Sequence, residues 1–118
     1  MKPVYPKVEQ YGLMQLMDST AKEVAKEVGI DNIDLTDPET NVELGTRYFT
    51  KLLMYYKGNY NLAITAYNAG IGNVSKWIEQ GVIKADGSDI ENIPYTETNN
   101  YVRKILKNYQ IYKELFEQ

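Results

Sequence analysis

The chain has 118 residues, with 13 Lys and Arg against 16 Asp and Glu, and neither His nor Cys. That length suits one domain with a core of its own, and the net charge of −3 argues against nucleic acid, whose phosphates call for a basic patch. Without Cys there is no disulfide or thiol chemistry, and without His the commonest near-neutral base and metal ligand are missing. Acid–base work would therefore fall to Asp, Glu, Tyr or Lys.

Residues 1–10 carry Pro3 and Pro6. Each fixes its own φ and biases the preceding residue toward extended backbone, so 1–10 reads as an extended arm ahead of a domain at 11–118. No apolar run is long enough to span a bilayer, and Met1-Lys2-Pro3-Val4 has no hydrophobic segment behind it of the kind a signal peptide needs.

From Ser19 the pattern turns helical. Ala21, Val24, Ala25 and Val28 share a face, Thr20 and Glu23 have capping-box spacing, and Gly29 is a natural stop. Asp37 and Pro38 announce a second helix as N-cap and first helical residue. Its stripe runs through Val42, Phe49, Leu52, Leu53 and Tyr56. Gly45 lies close to the stripe, where it would let another helix approach, and Gly58 ends the run. A third helix through Leu62, Ala63, Ala66 and Tyr67 is rich in small residues and is expected to lie deep, with Gly70 and Gly72 breaking it.

Val74, Trp77 and Ile78 predict a short fourth helix closed by Gly81. Residues 82–95 are a predicted loop with Asp86-Gly87-Ser88 as its turn. The last helix starts near Thr96, with Tyr101, Ile105, Tyr109, Tyr112 and Phe116 on one face. No segment alternates as a strand does. The predicted fold class is all-α, about five helices in one domain.

Aromatic usage is skewed, with eleven Tyr against two Phe and one Trp. Tyr offers an apolar ring with a hydroxyl at its rim, which suits a polar ring compound such as a sugar and equally suits a Tyr-rich core. Metal and thiol sites are not expected, no Ser stands in a Gly-x-Ser-x-Gly elbow, and the glycines lack phosphate-loop spacing. Most carboxylates belong to helix starts or charged helix faces. Three runs do not fit that pattern: Gly12-Leu13-Met14-Gln15, Ala66-Tyr67-Asn68-Ala69-Gly70 and Glu97-Thr98-Asn99-Asn100-Tyr101-Val102. Each puts an amide or carboxylate among residues due for burial, where an unpaired polar group costs about 1–3 kcal/mol. Internal hydrogen bonds or a ligand's polar groups would both satisfy it.

Four blocks in order, "YGLMQLMDSTAKEVAKEVG", "DPETNVELGTRYFTKLL", "NLAITAYNAGIGNVSKW" and "IPYTETNNYVRKIL", resemble the lytic transglycosylase domain of the soluble-lytic-transglycosylase type, a bacterial lysozyme-like helical fold. The resemblance runs from about residue 11 to residue 112, with Asp18 where the family often has Pro. It implies cleavage of the β-1,4 bond between N-acetylmuramic acid and N-acetylglucosamine in peptidoglycan, leaving a 1,6-anhydro ring. One Glu acts as general acid and then base, helped by the substrate's acetamido group. No cofactor is implied. The partner is the peptidoglycan glycan strand, and the implied location is the cell envelope or outside the cell.

By the same resemblance Gln15 lines the sugar groove and Met14 packs at its wall. Tyr67 orients the catalytic Glu, Asn68 binds acetamido or hydroxyl groups, Glu97 anchors the start of the last helix near the cleft, and Tyr101 borders the Glu and the substrate. The family's catalytic Glu stands in a Glu-Ser pair on a helix well ahead of the Gly-Leu-Met-Gln run. This sequence has no Glu-Ser pair, and the carboxylate ahead of Gly12 is Glu9. The expectation is a domain short of that helix, with Glu9 as the candidate acid. The alternatives are an inactive glycan-binding remnant, or a shortened helical scaffold that forms a homodimer through the surface the missing helix leaves bare.

Overall fold

The structure, a computed structural model, describes residues 18–27, 29 and 37–116. Residues 1–10, expected as an arm and carrying Glu9, and the run with Met14 and Gln15 lie outside the described residues. Helix α1 covers Asp18–Glu27, α2 Pro38–Tyr55, α3 Tyr60–Ala69, α4 Ile71–Glu79 and α5 Thr96–Phe116, with one 3-10 turn at Ile90–Asn92. Among the described residues there is no strand, so the all-α expectation holds with its five helices.

Helix α1 buries Val24 and Ala25 against α2. Thr20 lies within α1 and not at the helix start its spacing suggests. Lys51 Nζ meets Glu27 Oε1 at 2.8 Å between the two helices, but both side chains are about half exposed, so water screens most of that pair.

Helix α2 starts as expected. The Asp37 carboxylate accepts from the Glu39 N–H at 3.3 Å and the Thr40 hydroxyl at 2.8 Å, filling donors that the first helical turn leaves open. Leu44, Phe49, Leu52 and Leu53 are buried. The helix closes through Gly58, whose N–H reaches the Leu53 carbonyl at 2.7 Å.

Helix α3 is the centre of the domain. Leu62 to Tyr67 are buried without a break, which requires neighbours on every side, and α2, α4 and α5 supply them. The buried Thr65 hydroxyl donates to the Asn61 carbonyl one turn back, at 2.6 Å. Asn59 caps the helix, accepting from the Leu62 N–H at 3.1 Å.

Gly70 ends α3 at φ 90°, ψ 150°, a region open essentially to Gly alone, and the same residue starts α4. Gly72 was expected to break the chain as well. It lies inside α4 and is exposed, because the reversal is completed at Gly70. Val74 and Trp77 are the buried residues of α4.

The loop after α4 is held from inside. Asp89 accepts from the Lys84 N–H at 2.9 Å and from Asn92 Nδ2 at 3.1 Å, and these two bonds hold its carboxyl below the usual carboxylate range. Asn59 and Asn61 donate to the carbonyls of Asp86 and Gly87 at 2.6 and 2.8 Å. Ser88 folds onto the Asp86 carboxylate through its N–H at 3.0 Å and its hydroxyl at 2.7 Å, the Asx turn expected there. Helix α5 buries Thr98, Val102 and Ile105, with Tyr101, Leu106 and Tyr109 at the margin. Thr98 and Val102 thus join the expected apolar face.

Candidate functional site

Of the expected site residues, Tyr67, Asn68, Glu97 and Tyr101 are described, whereas Glu9, Met14 and Gln15 are not. Tyr67 and Asn68 lie in the last turn of α3, and Glu97 and Tyr101 in the first turns of α5. The packing of α3 on α5 brings two of the three sequence runs together. The Thr98 hydroxyl donates to Asn68 Oδ1 at 2.7 Å across 30 positions of sequence.

Tyr67 is 9% exposed. Its ring lies 5.4 Å from that of Tyr48 at 43°, and 6.3 Å from that of Phe49 in an edge-on arrangement at 74°. Burial pushes the Tyr67 hydroxyl well above its ordinary pKa, and the neighbouring hydroxyls of Tyr101 and Tyr48 push it further. Burial does the same for Tyr101 and for Tyr48, where the Glu23 charge adds to it and Lys51 opposes it. The three phenols therefore stay protonated at neutral pH. They can donate and accept hydrogen bonds and present ring surface, but none can serve there as a base.

Glu97 is exposed in the first turn of α5, where negative charge favours the helix N-terminus. Asn99, two residues on, donates through Nδ2 to the carbonyls of Ile90, Glu91 and Ile93 at 3.2, 3.0 and 3.2 Å. This sets the loop in front of α5. Tyr95 at the end of that loop meets Trp77 of α4 edge-on, with centroids 4.9 Å apart.

The sequence marks Thr98 and Asn99 only as members of the run 97–102, with no role of their own, and does not mark Tyr48. Thr98 stands four positions before Val102 and Tyr48 directly before Phe49, so helical spacing from known core positions could have found Thr98. Asn99 is marked only as an amide in a run due for burial, and its partners prove to be backbone carbonyls. The arrangement as described is neutral, walled by aromatic rings, and edged with an amide and phenols. Those groups can hold a polar, uncharged ring compound by stacking and hydrogen bonding. Among the described residues no three Asp or Glu side chains cluster closely enough to hold a metal ion.

Comparison with known proteins gives the site a context. Residues 2–89 match the family model for the transglycosylase SLT domain, a stretch that includes Glu9, Met14, Gln15, Tyr67 and Asn68. The chain is similar to the soluble lytic murein transglycosylase of Escherichia coli (strain K12), at 36% identity over 110 residues, 89% of this chain and 17% of that protein. Its structure is similar to that of the 70 kDa soluble lytic transglycosylase from Escherichia coli, with a TM-score of 0.73, 31% identity and coverage of 88% of this chain and 18% of the other. It is equally similar to an inactive Glu-to-Gln mutant of the lytic transglycosylase Slt from Pseudomonas aeruginosa, at TM-score 0.73 and 35% identity over 90% of this chain and 18% of that one. The chain thus spans less than a fifth of the length of these relatives.

Proposed function

The chain belongs to the transglycosylase SLT domain family, with a lysozyme-like helical fold, and we propose that it degrades peptidoglycan as a lytic transglycosylase. The bond cleaved is the β-1,4 link between N-acetylmuramic acid and N-acetylglucosamine. A protonated Glu gives its proton to the glycosidic oxygen, and the N-acetylglucosamine side departs with a 4-hydroxyl. The same carboxylate then takes the proton of the muramyl 6-hydroxyl, whose oxygen closes on C1 to form the 1,6-anhydro ring. No water is consumed, and the acetamido group shields the cationic centre between the two steps.

The observation that carries this reading is the junction of α3 and α5, where Tyr67, Asn68 and Tyr101 gather at a neutral aromatic wall. Tyr67 and Tyr101 stay protonated there, able to hydrogen-bond both the acid and the sugar. Asn68 reads the sugar's polar substituents, Met14 and Gln15 line the groove, and Glu97 supports the start of α5. The acid we place in this machinery is Glu9, the carboxylate within the matched stretch ahead of Gly12. It needs a partly apolar pocket to hold its proton at working pH. Inactivity of the Glu-to-Gln Pseudomonas relative supports a single Glu as the centre of the chemistry.

Incubation with purified murein sacculi tests the proposal. Release of anhydromuropeptides by the wild-type chain, lost in Glu9→Gln, is expected. No release refutes the activity, and release undiminished by Glu9→Gln moves the acid elsewhere. A second reading, a glycan-binding domain without turnover, predicts binding of chitooligosaccharides with no anhydro product. The partner in either case is the glycan strand, with the cell envelope as the place of action. No helix among the described residues is long and apolar enough to cross a membrane. The homodimer expected from the sequence has no support in the comparisons and forms no part of this proposal.

A further inference from the structure

An amide side chain at a binding site has two faces of opposite hydrogen-bonding sense. A half-turn about its last bond exchanges the carbonyl oxygen for the NH2 group, and on an exposed residue the two states differ little. Asn68 is half-buried, so something must decide which face it shows. We propose that Thr98 is a positioning residue that holds Asn68 Oδ1 inward and its NH2 outward, so that this point of the site donates to a carbonyl acceptor on the ligand, such as the oxygen of an acetamido group. The proposal rests on the glycan reading for the ligand. The lock itself is a property of the ligand-free protein.

The chemistry of the contact supports the lock. Asn68 Oδ1 carries no hydrogen, so the 2.7 Å separation from Thr98 Oγ1 is a hydrogen bond in one sense alone, hydroxyl to amide oxygen. Thr98 is 3% exposed, and its hydroxyl spends its proton on Asn68. Turning the amide over would make Nδ2 the donor and Oγ1 the acceptor, and the Thr98 proton would then need a new acceptor at a residue only 3% exposed, the costlier arrangement. A Thr in the first turn of a helix commonly bonds its own backbone. Here it reaches instead into another helix. Both ends are held: Asn68 stands two residues before Gly70, and Asn99, directly after Thr98, is bonded to three carbonyls of the preceding loop. With Oδ1 held by Thr98, Nδ2 on the other branch of the planar amide is turned away from that hydroxyl.

The test compares Thr98→Val, which keeps the branched shape without the hydroxyl, with Thr98→Ser, which keeps the hydroxyl. Thr98→Ala serves as a second deletion should valine not fit. Two measurements are made: the Asn68 side-chain amide resonances of the free protein, and calorimetric affinity for tetra-N-acetylchitotetraose. Expected are a shift or broadening of the Asn68 resonances and affinity weaker by about 3- to 10-fold in the valine and alanine variants, the loss of one hydrogen bond. The serine variant should match wild type in both. Unchanged Asn68 resonances in the deletions overturn the lock, as does a serine variant that shifts them equally, which would mean the methyl group matters and not the hydroxyl. If wild type does not bind the tetramer, the glycan reading fails. The resonances, which need no sugar, still decide for or against the lock.

Discussion

The ring of Tyr48 on α2 leans on the ring of Tyr67 on α3, with centroids 5.4 Å apart. Tyr67 cannot tilt away from α5 while Tyr48 fills that space. Tyr48→Ala is therefore expected to cost about 2–4 kcal/mol in chemical denaturation, as large-to-small changes in packed sites do, and to weaken glycan binding. Tyr48→Phe keeps the ring and should leave binding within about 2-fold of wild type, because the ring contact and not the hydroxyl does the supporting.

Tyr67→Phe and Asn68→Asp separate chemistry from fold. Each keeps its shape in the α3–α5 interface, so melting temperatures should move by only a few degrees. Release of anhydromuropeptides should fall by about 10-fold or more, since each removes a polar group proposed to face the substrate. Asn68→Asp still accepts from Thr98 but turns an acceptor outward where the NH2 donated. Activity at the wild-type level in both variants would remove these residues from the site.

The buried Tyr56 hydroxyl has no hydrogen-bond partner among the described residues, and burial pushes its pKa up to about 12. A phenol that holds its proton longer in the folded state loses folding stability as pH rises above the unfolded value of about 10. Tyr48, Tyr67 and Tyr101 shift the same way. Stability is thus expected to fall as pH climbs above about 10, the Tyr56 contribution falling between about 10 and 12. Tyr56→Phe should be neutral or more stable at pH 7 by up to about 1 kcal/mol, and its advantage should widen at pH 11. Urea titrations at the two pH values measure this.

Asp89 carries the acid limb. Its carboxyl is held low by the Lys84 N–H and Asn92, so its contribution is complete above the unfolded pKa of about 3.9 and disappears as pH falls through the lowered folded value. Asp89→Asn, which cannot accept from both partners as the carboxylate does, should be less stable than wild type at pH 7. The gap should narrow below pH 3.

Two glycines give opposite predictions. Gly87 has φ +68°, and an added Cβ would meet Leu62 Cγ at 3.0 Å, Asn59 Oδ1 at 3.1 Å and Asn61 Cβ at 3.2 Å. Gly87→Ala should cost about 1–3 kcal/mol through backbone strain and crowding. Gly72 lies in α4 with open space around it. Gly72→Ala should stabilise by up to about 1 kcal/mol, the helix preference for Ala.

Periodicity and capping residues made the helices legible. Asp37-Pro38 gave the start of α2 and the apolar stripes gave the buried faces, because both depend on neighbours in sequence. Gly72 was misjudged for the same reason: a Gly on paper does not say which of two nearby glycines takes the reversed backbone. Of the candidate site, Tyr67, Asn68 and Tyr101 stand out in the sequence as motif residues, and the structure places them at the α3–α5 junction. The run 97–102 stands out as well, but the partners of Thr98 and Asn99 do not, because their hydrogen bonds join positions distant in the chain or end on backbone carbonyls. Local pattern carries no trace of such partners.

The hold of Asn99 on the carbonyls of Ile90, Glu91 and Ile93 also bears on motion. A connection without regular structure is ordinarily the first part of a domain to open. Here the segment leading into α5 is stapled to the helix it precedes, so the two should exchange their amide hydrogens as one cooperative unit. Breathing of the wall formed by Tyr67, Asn68 and Tyr101 would then require the end of a 21-residue helix to loosen, a slow event compared with the flicker of a loop.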